Sequence, residues 1–345
     1  MNTQPAQTSE PLAVPIGDDD LSTAEQEYVG AARATNTVRG YKSDWAEFTN
    51  WCTGEGRSAL PAEPSAVTGY LTMLAGAGAK VGTMSRRLSA IKFAHRLQNL
   101  PDPTEHARVV TVWEGIRRRH SAPPEQATPL MPPELWEVLD ACPTTRTWKT
   151  GGRQAEPDLA GARDRALLLV GFVAALRRSE ISALDVEHIR PHPNGLILAL
   201  PHSKTNQRGE LDELVVLPRA GNTQHCPVTV LEHWLQKAGI TGGAVFRPVS
   251  KGNRVLARRL SPGSVNDLVQ AAAARAGLHA PAGSEASGAD PDEVSGPPVL
   301  YSAHSLRAGF VTYAHLRGAS DRAVAHQTRH RSLASIGTYI RLDNA

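Results

Sequence analysis

From residue 37 to about residue 54 the apolar positions Val38, Tyr41, Trp45, Phe48 and Cys52 return at steps of three and four, the stripe of an amphipathic helix. Pro61 and Pro64 open a second segment, in which Val67, Tyr70, Leu71 and Leu74 keep helical spacing until Gly76 and Gly78 end it. Met84, Leu88 and Ile91 line one side of a third helix whose other side carries arginines, and Val109, Val112, Trp113 and Ile116 line a fourth. Four amphipathic helices with short connections predict a small helical bundle with one basic surface. Ahead of them, residues 1–20 are rich in Pro, Thr, Ser and acid, the composition of a disordered arm, so order is expected to begin near Leu21.

The pattern changes after residue 120. Five prolines and few apolar residues between 120 and 133 predict an exposed linker, which puts one domain at 21–120, the linker at 121–133 and a second domain at 134–345. In that second domain, residues 134–142 and 160–184 read as helices, the latter strongly apolar. Asn194-Gly195 then gives a turn, followed by the strand-like runs 196–200 and 214–217, a hairpin whose loop carries Lys204. Residues 228–237, 264–276, 305–317 and 320–328 read as helices again. Between them, 279–298 has no periodicity and reads as a flexible insertion. The fold class expected is mainly α with a small β-hairpin or sheet in the second domain.

Length and composition narrow the class without deciding it. A chain of 345 residues is too long for one ordinary core and suits two domains. Hydrophobic content of 41% and charged content of 21% are those of a soluble globular protein. No apolar run approaches the roughly 20 residues that cross a bilayer, and the N-terminus does not resemble a signal peptide, so cytoplasm is the expected location and no membrane partner is implied. Cys52, Cys142 and Cys226 are odd in number and widely spaced, which suits reduced structural thiols and gives no CxxC metal site.

Net charge is only +3, so global charge barely argues for nucleic acid. Local charge argues better. Arg86, Arg87, Lys92 and Arg96 fall in one predicted helix, Arg117, Arg118, Arg119 and His120 end another, and Arg254, Arg258 and Arg259 cluster further on. Each cluster alone suits a solvated helix face equally well.

Four short islands shift that balance: Ala175-Leu176-Arg177-Arg178-Ser179-Glu180, Ser203-Lys204-Thr205, His304-Ser305-Leu306-Arg307, and His330 with Tyr339 nine positions on. They supply two arginines to grip a phosphodiester, a lysine and two histidines to move protons, and a tyrosine to attack, with no metal or other cofactor required. Each has a plainer reading. Arg177 could be a structural ion pair with Glu180, Lys204 a solvated turn residue and Tyr339 half-buried packing. The stripe Leu306, Phe310 and Tyr313 sets His304 and Arg307 apart from the buried side of their helix, at an end that favours anions. His326 and His330, four apart with His315 near, could hold a metal, but no Glu, acidic or Cys ligand completes the set.

In this order, with the tyrosine near the C-terminus and the run Tyr-Ile-Arg, the islands resemble the tyrosine recombinase family of phage integrases, Xer-type resolvases and Cre-like enzymes. The resemblance runs from about Thr23 to the end and implies a SAM-like helical core-binding domain followed by a catalytic domain. It implies Arg177 and Arg307 as the phosphate clamp, Glu180 in support, Lys204 as general acid, His304 and His330 assisting, and Tyr339 as nucleophile forming a 3′-phosphotyrosyl link. It also implies double-stranded DNA with inverted-repeat sites as partner, a homotetramer on two such sites, and an association with the nucleoid. A type IB topoisomerase-like relaxing activity, or a silent DNA-binding regulator on the same scaffold, are the other readings. Two positions depart from the family pattern: Ala175 and Arg329 stand where Gly is frequent.

Overall fold

The computed structural model describes residues 35–122, 127–148, 154–200, 213–279 and 301–330. The expected N-terminal arm, the Lys204 loop, the insertion beyond residue 279 and the Tyr339 segment lie outside them. The chain divides into two compact units, residues 1–124 and 125–345.

The first unit is the expected bundle: α1 (Thr35–Gly54), α2 (Pro64–Gly76), α3 (Val81–Leu97) and α4 (Ala107–His120), with a 3-10 turn at Pro103–Glu105. Phe48 and Cys52 of α1, Tyr70 and Leu71 of α2, Met84 and Ile91 of α3, and Val109 and Ile116 of α4 are buried together. Burying these side chains supplies the main driving force. Two polar groups sit in that core with their partners. His95 accepts from the Ala62 amide at 2.9 Å and faces the Ile91 carbonyl at 2.8 Å through its other nitrogen, while Asp44 is 1% exposed beneath two arginines.

The second unit begins inside the stretch expected to be an exposed linker. Leu130 is fully buried, and its amide donates to the Ser305 carbonyl at 2.9 Å. Leu130, with the partly buried Met131 beside it, pins this segment to the core, which composition averaged over a window cannot show. After it come α5 (Glu134–Asp140), the short ladder β1 (Thr145–Arg146) and β2 (Glu156–Pro157), α6 (Leu159–Val173) and α7 (Arg178–Ala183). A three-stranded antiparallel sheet in the order β3-β4-β5 follows, from β3 (Ile189–His192), β4 (Gly195–Leu200) and β5 (Glu213–Pro218). The expected runs pair with Leu198 opposite Val215. β3, whose Ile-Arg-Pro-His has no alternation to read, was not expected. The remaining helices are α8 (Pro227–Ala238), α9 (Pro262–Arg275), α10 (Ala303–Leu316) and α11 (Asp321–Thr328). Their core centres on α6, with Leu167, Val170, Ile181, Leu198, Leu231, Trp234 and Leu306 buried around it.

The single helix expected over 160–184 is broken. After Val173 the chain makes a Schellman turn in which the Ala175 amide donates to Phe172 and the Leu176 amide to Gly171, both at 3.0 Å. Ala175 takes the left-handed conformation at φ 47°. The apolar pattern continues through the break because both helices and the turn are buried, so hydrophobicity cannot mark it. α11 ends the same way: the Arg329 amide donates to His326 at 3.2 Å and the His330 amide to Ala325 at 3.1 Å, with Arg329 at φ 56°.

Two substitutions test this packing. A Cβ on Gly309 would lie 2.0 Å from the Leu130 carbonyl oxygen, so Gly309→Ala is expected to destabilise the second unit by about 1–3 kcal/mol, read as a lower Tm. Ala175→Gly removes the left-handed penalty of roughly 1–2 kcal/mol, offset in part by unfolded-chain entropy, and is expected to hold or raise Tm. A large loss of stability on Ala175→Gly would show that the methyl group, not the backbone, matters there.

Candidate active site

Four chain segments meet where α6 and α11 end. Arg177 caps α7, and the Glu180 carboxylate folds back to accept from the Arg177 amide at 2.9 Å and from its Nη1 at 2.6 Å. Glu180 is buried, 1% exposed at the side chain, and takes a second guanidinium: Arg329 Nη2 donates to Oε2 at 2.6 Å. Burial alone would raise the pKa of this carboxyl, but Arg329, Arg177 and the amide together hold it below the usual carboxylate range.

Arg307 is 1% exposed, among the largest fully buried side chains. It was expected to stand apart from the buried side of its helix. It does leave the apolar stripe, but inward, because the helix ends beside it present unsatisfied carbonyls. Nη1 donates to Ala175 at 2.7 Å, and Nη2 donates to Thr328 at 2.5 Å. Phe310 and Tyr313, expected in the buried stripe, are only partly buried against the core.

Arg307 Nη2 also lies 3.2 Å from His330 Nε2. A guanidinium can only donate, so Nε2 accepts and the imidazole proton is on Nδ1, 2.7 Å from Thr328 Oγ1. The Thr328 hydroxyl passes its own proton to the Val324 carbonyl at 2.6 Å. This arrangement holds His330 neutral. Burial, with the charges of Arg307, Arg177, Arg329 and His304, lowers its pKa from 6.5 to about 4. His304 is exposed at the first turn of α10, close enough to act on His330.

Arg177, Glu180, His304, Arg307 and His330 are therefore brought to one place, while Lys204 and Tyr339 lie outside the described residues. Sequence reasoning treated Arg329 as a backbone question only and missed its side chain. It also missed Thr328, and Glu213 at the start of β5, 3.5 Å from Arg329 Nε. No local signal marks Arg329 or Glu213, because the burial and double pairing of Glu180 exist only in the folded chain. Among the described residues no three His, Cys, Asp or Glu side chains converge as metal ligands, and both His330 nitrogens are engaged as above.

In the first unit the expected basic residues of α3 are paired. Arg86 grips Asp44 with two bonds of 2.7 and 2.9 Å, and Arg87 meets Glu47 and the Tyr70 hydroxyl. Lys92 reaches Asp102 at 3.0 Å and Glu105 at 2.5 Å, and Arg96 lies 3.4 Å from Glu105. Arg117, Arg118 and Arg119 are exposed at the end of α4, and among the described residues no carboxylate pairs with them.

Residues 26–97 match the family model of the phage integrase N-terminal SAM-like domain. The chain is 30% identical over 330 residues to an integrase/recombinase XerD homolog of Selenomonas ruminantium, covering 95% of this chain and 87% of that one. The chain belongs to the tyrosine recombinase family. It is thus a tyrosine-type enzyme of site-specific DNA recombination. Its fold is that of the XerH site-specific recombinase bound to palindromic difH substrate in a post-cleavage complex, with TM-score 0.57, 15% identity and coverage of 92% of this chain and 80% of that one. It also resembles the lambda integrase tetramer bound to a Holliday junction, with TM-score 0.54, 16% identity and coverage of 97% and 82%. No helix among the described residues is long and apolar enough to cross a membrane.

The neutral His330 makes stability depend on pH. Between pH 6.5 and about 4 the unfolded chain protonates this histidine and the folded chain does not, so stability is lost as pH falls through that window. Glu180, depressed when folded, adds a loss in the same direction at lower pH. Tm of the DNA-free protein is expected to fall from pH 6.5 towards 4, and less steeply in His330→Gln. Parallel curves for the two proteins would remove His330 as the cause.

Proposed function

We infer that the second unit is the catalytic domain and that it cuts and rejoins DNA through Tyr339, with Arg177, Arg307, His304, His330 and Lys204 handling phosphate and protons. The observation that supports this is the meeting of Arg177, Arg307, His304 and His330, from segments far apart in sequence, around one spot rich in positive charge. The Tyr339 oxygen attacks the scissile phosphorus and gives its proton to water, the bond to the 5′ oxygen breaks, and that oxygen takes a proton from Lys204. A 3′-phosphotyrosyl link and a 5′ hydroxyl result. The new bond keeps the energy of the old one, so the reverse step onto a partner strand needs no ATP.

Guanidinium suits the clamp because its planar fork binds two phosphate oxygens and stays charged. A phosphate arriving here competes with His330 Nε2 for Arg307 and favours the protonated imidazole, turning an acceptor into a donor. Double-stranded DNA is the partner, with Arg117, Arg118 and Arg119 as sequence-independent phosphate contacts and Arg86, Arg87, Lys92 and Arg96 joining by exchanging carboxylate for phosphate. Four copies on two inverted-repeat sites fit the strand-exchange chemistry, and the likeness to a lambda integrase tetramer on a Holliday junction supports that reading.

Four measurements test the assignment. Incubation with fragments of the source genome, denaturation and sequencing of what stays covalently attached identifies the DNA, and Tyr339→Phe is expected to bind that DNA yet leave no adduct. A detergent-resistant adduct in that variant would mean another nucleophile. Arg177→Ala is expected to slow cleavage by roughly 10²-fold or more, with Arg177→Lys a poor rescue. Cleavage is expected to persist in excess EDTA. Lys204→Ala is expected to be restored by a 5′-bridging sulfur, whose thiolate leaves without a proton, far more than Arg177→Ala is. Equal rescue of the two would take the general-acid role from Lys204.

A further inference from the structure

Arg329 stands at a left-handed position where a side chain costs about 1–2 kcal/mol, so its local backbone gives no reason for an arginine. Its guanidinium supplies one. Nη1 donates to Gln327 at 3.1 Å and Ala174 at 3.3 Å, and Nη2 to Ala175 at 3.4 Å and Glu180 at 2.6 Å. Nε lies 3.5 Å from Glu213 at the head of β5. The ends of α6 and α11, the Glu180 of α7 and the start of β5 are thus held by one planar group. The side chain is 5% exposed, against 18% for Arg177.

Charge gives the arrangement its consequence. Without Arg329, the two guanidiniums of Arg177 and Arg307 would face the two carboxylates of Glu180 and Glu213, and the cluster would carry no net charge. With Arg329 sharing the carboxylate, Glu180 keeps one oxygen on Arg177 Nη1 while its other oxygen is fixed from behind. Three guanidiniums then face two carboxylates, and the cluster keeps a positive charge for a phosphate monoanion.

We propose that Arg329 is a positioning residue of strand cleavage, which shares Glu180 with Arg177 and so fixes the aim and preserves the charge of the clamp. This rests on the active-site reading above, and its test separates the two. Arg329→Met removes the charge at similar length, Arg329→Lys keeps it, and Arg329→Gly removes the side chain while relieving the backbone. Single-turnover adduct formation is measured on the DNA that wild-type protein traps, together with Tm, DNA affinity and the titration of His330 by NMR. His330 is faced by Arg307 and His304 from α10, by Arg177 ahead of α7 and by Arg329 itself.

Adduct formation is expected to fall roughly 10- to 100-fold in the Met variant with DNA affinity little changed, while Lys stays within a few-fold of wild type. The His330 midpoint is expected to rise in Met and Gly and to stay in Lys. If Met does not fold, Gly carries the same expectations without the strained backbone. Wild-type cleavage by Met or Gly overturns the proposal. So does equal slowing of Met and Lys with an unmoved His330 midpoint, which would make Arg329 a packing element. If wild-type protein traps no DNA, the active-site reading fails, and the NMR titration still shows whether Arg329 charges this cluster.

Discussion

The site depends on two helix ends that would otherwise be unsatisfied. α6 and α11 both finish in Schellman turns whose last carbonyls point to one place, and an isolated α-helix leaves about four such acceptors without partners. Arg307 bridges them directly, donating to Ala175 on one side and Thr328 on the other. Arg329 makes a second, parallel bridge through Ala174 and Gln327. Gln327 adds a third from the opposite side, its amide donating to Val173 at 2.9 Å and to Val216 of β5 at 3.0 Å. The negative ends of two helix dipoles and two buried guanidiniums thus satisfy one another, which neither could do alone at acceptable desolvation.

From that constraint the state of His330 follows. Because Arg307 is held by backbone carbonyls, its remaining donor direction meets Nε2, and Thr328, whose carbonyl Arg307 also takes, presents its hydroxyl to Nδ1. The histidine is neutral, oriented and surrounded by positive charge before any substrate arrives. Such a group gains most when an anion enters, since the phosphate removes the repulsion that kept the proton off. The buried network that shapes the end of α11 also prepares proton handling.

Much of this was legible in the sequence, and what was not shares one cause. The four helices of the first unit and β5 follow apolar periodicity, because one face of each is buried and the other wet, while β4, buried on both faces, shows as a continuous apolar run. The break at Ala175 escaped because both sides of it are buried, so the apolar signal runs through. β3 escaped because an edge strand of Ile-Arg-Pro-His carries no alternation. The site residues Arg177, His304, Arg307 and His330 were found by their order, yet Arg329 and Glu213 act through contacts across more than a hundred positions. Local spacing contains no trace of such contacts.

The same blindness affects the basic residues of the first unit, and correcting it changes what they can contribute. Arg86 was read as surface charge from its own helix, but its partner Asp44 lies in α1 and is buried to 1%. A phosphate that takes Arg86 leaves a buried carboxylate short of donors, a loss that offsets much of the new contact. Glu105, more than half exposed, can turn to water when Arg96 leaves it, whereas Lys92 also holds Asp102, 8% exposed at the side chain, so Arg96 exchanges more cheaply than Lys92. Arg117, Arg118 and Arg119, which no carboxylate among the described residues holds, give up water and counterions. If this unit docks on DNA through phosphates, the free energy is therefore concentrated at the C-terminal end of α4, with α3 contributing orientation more than affinity.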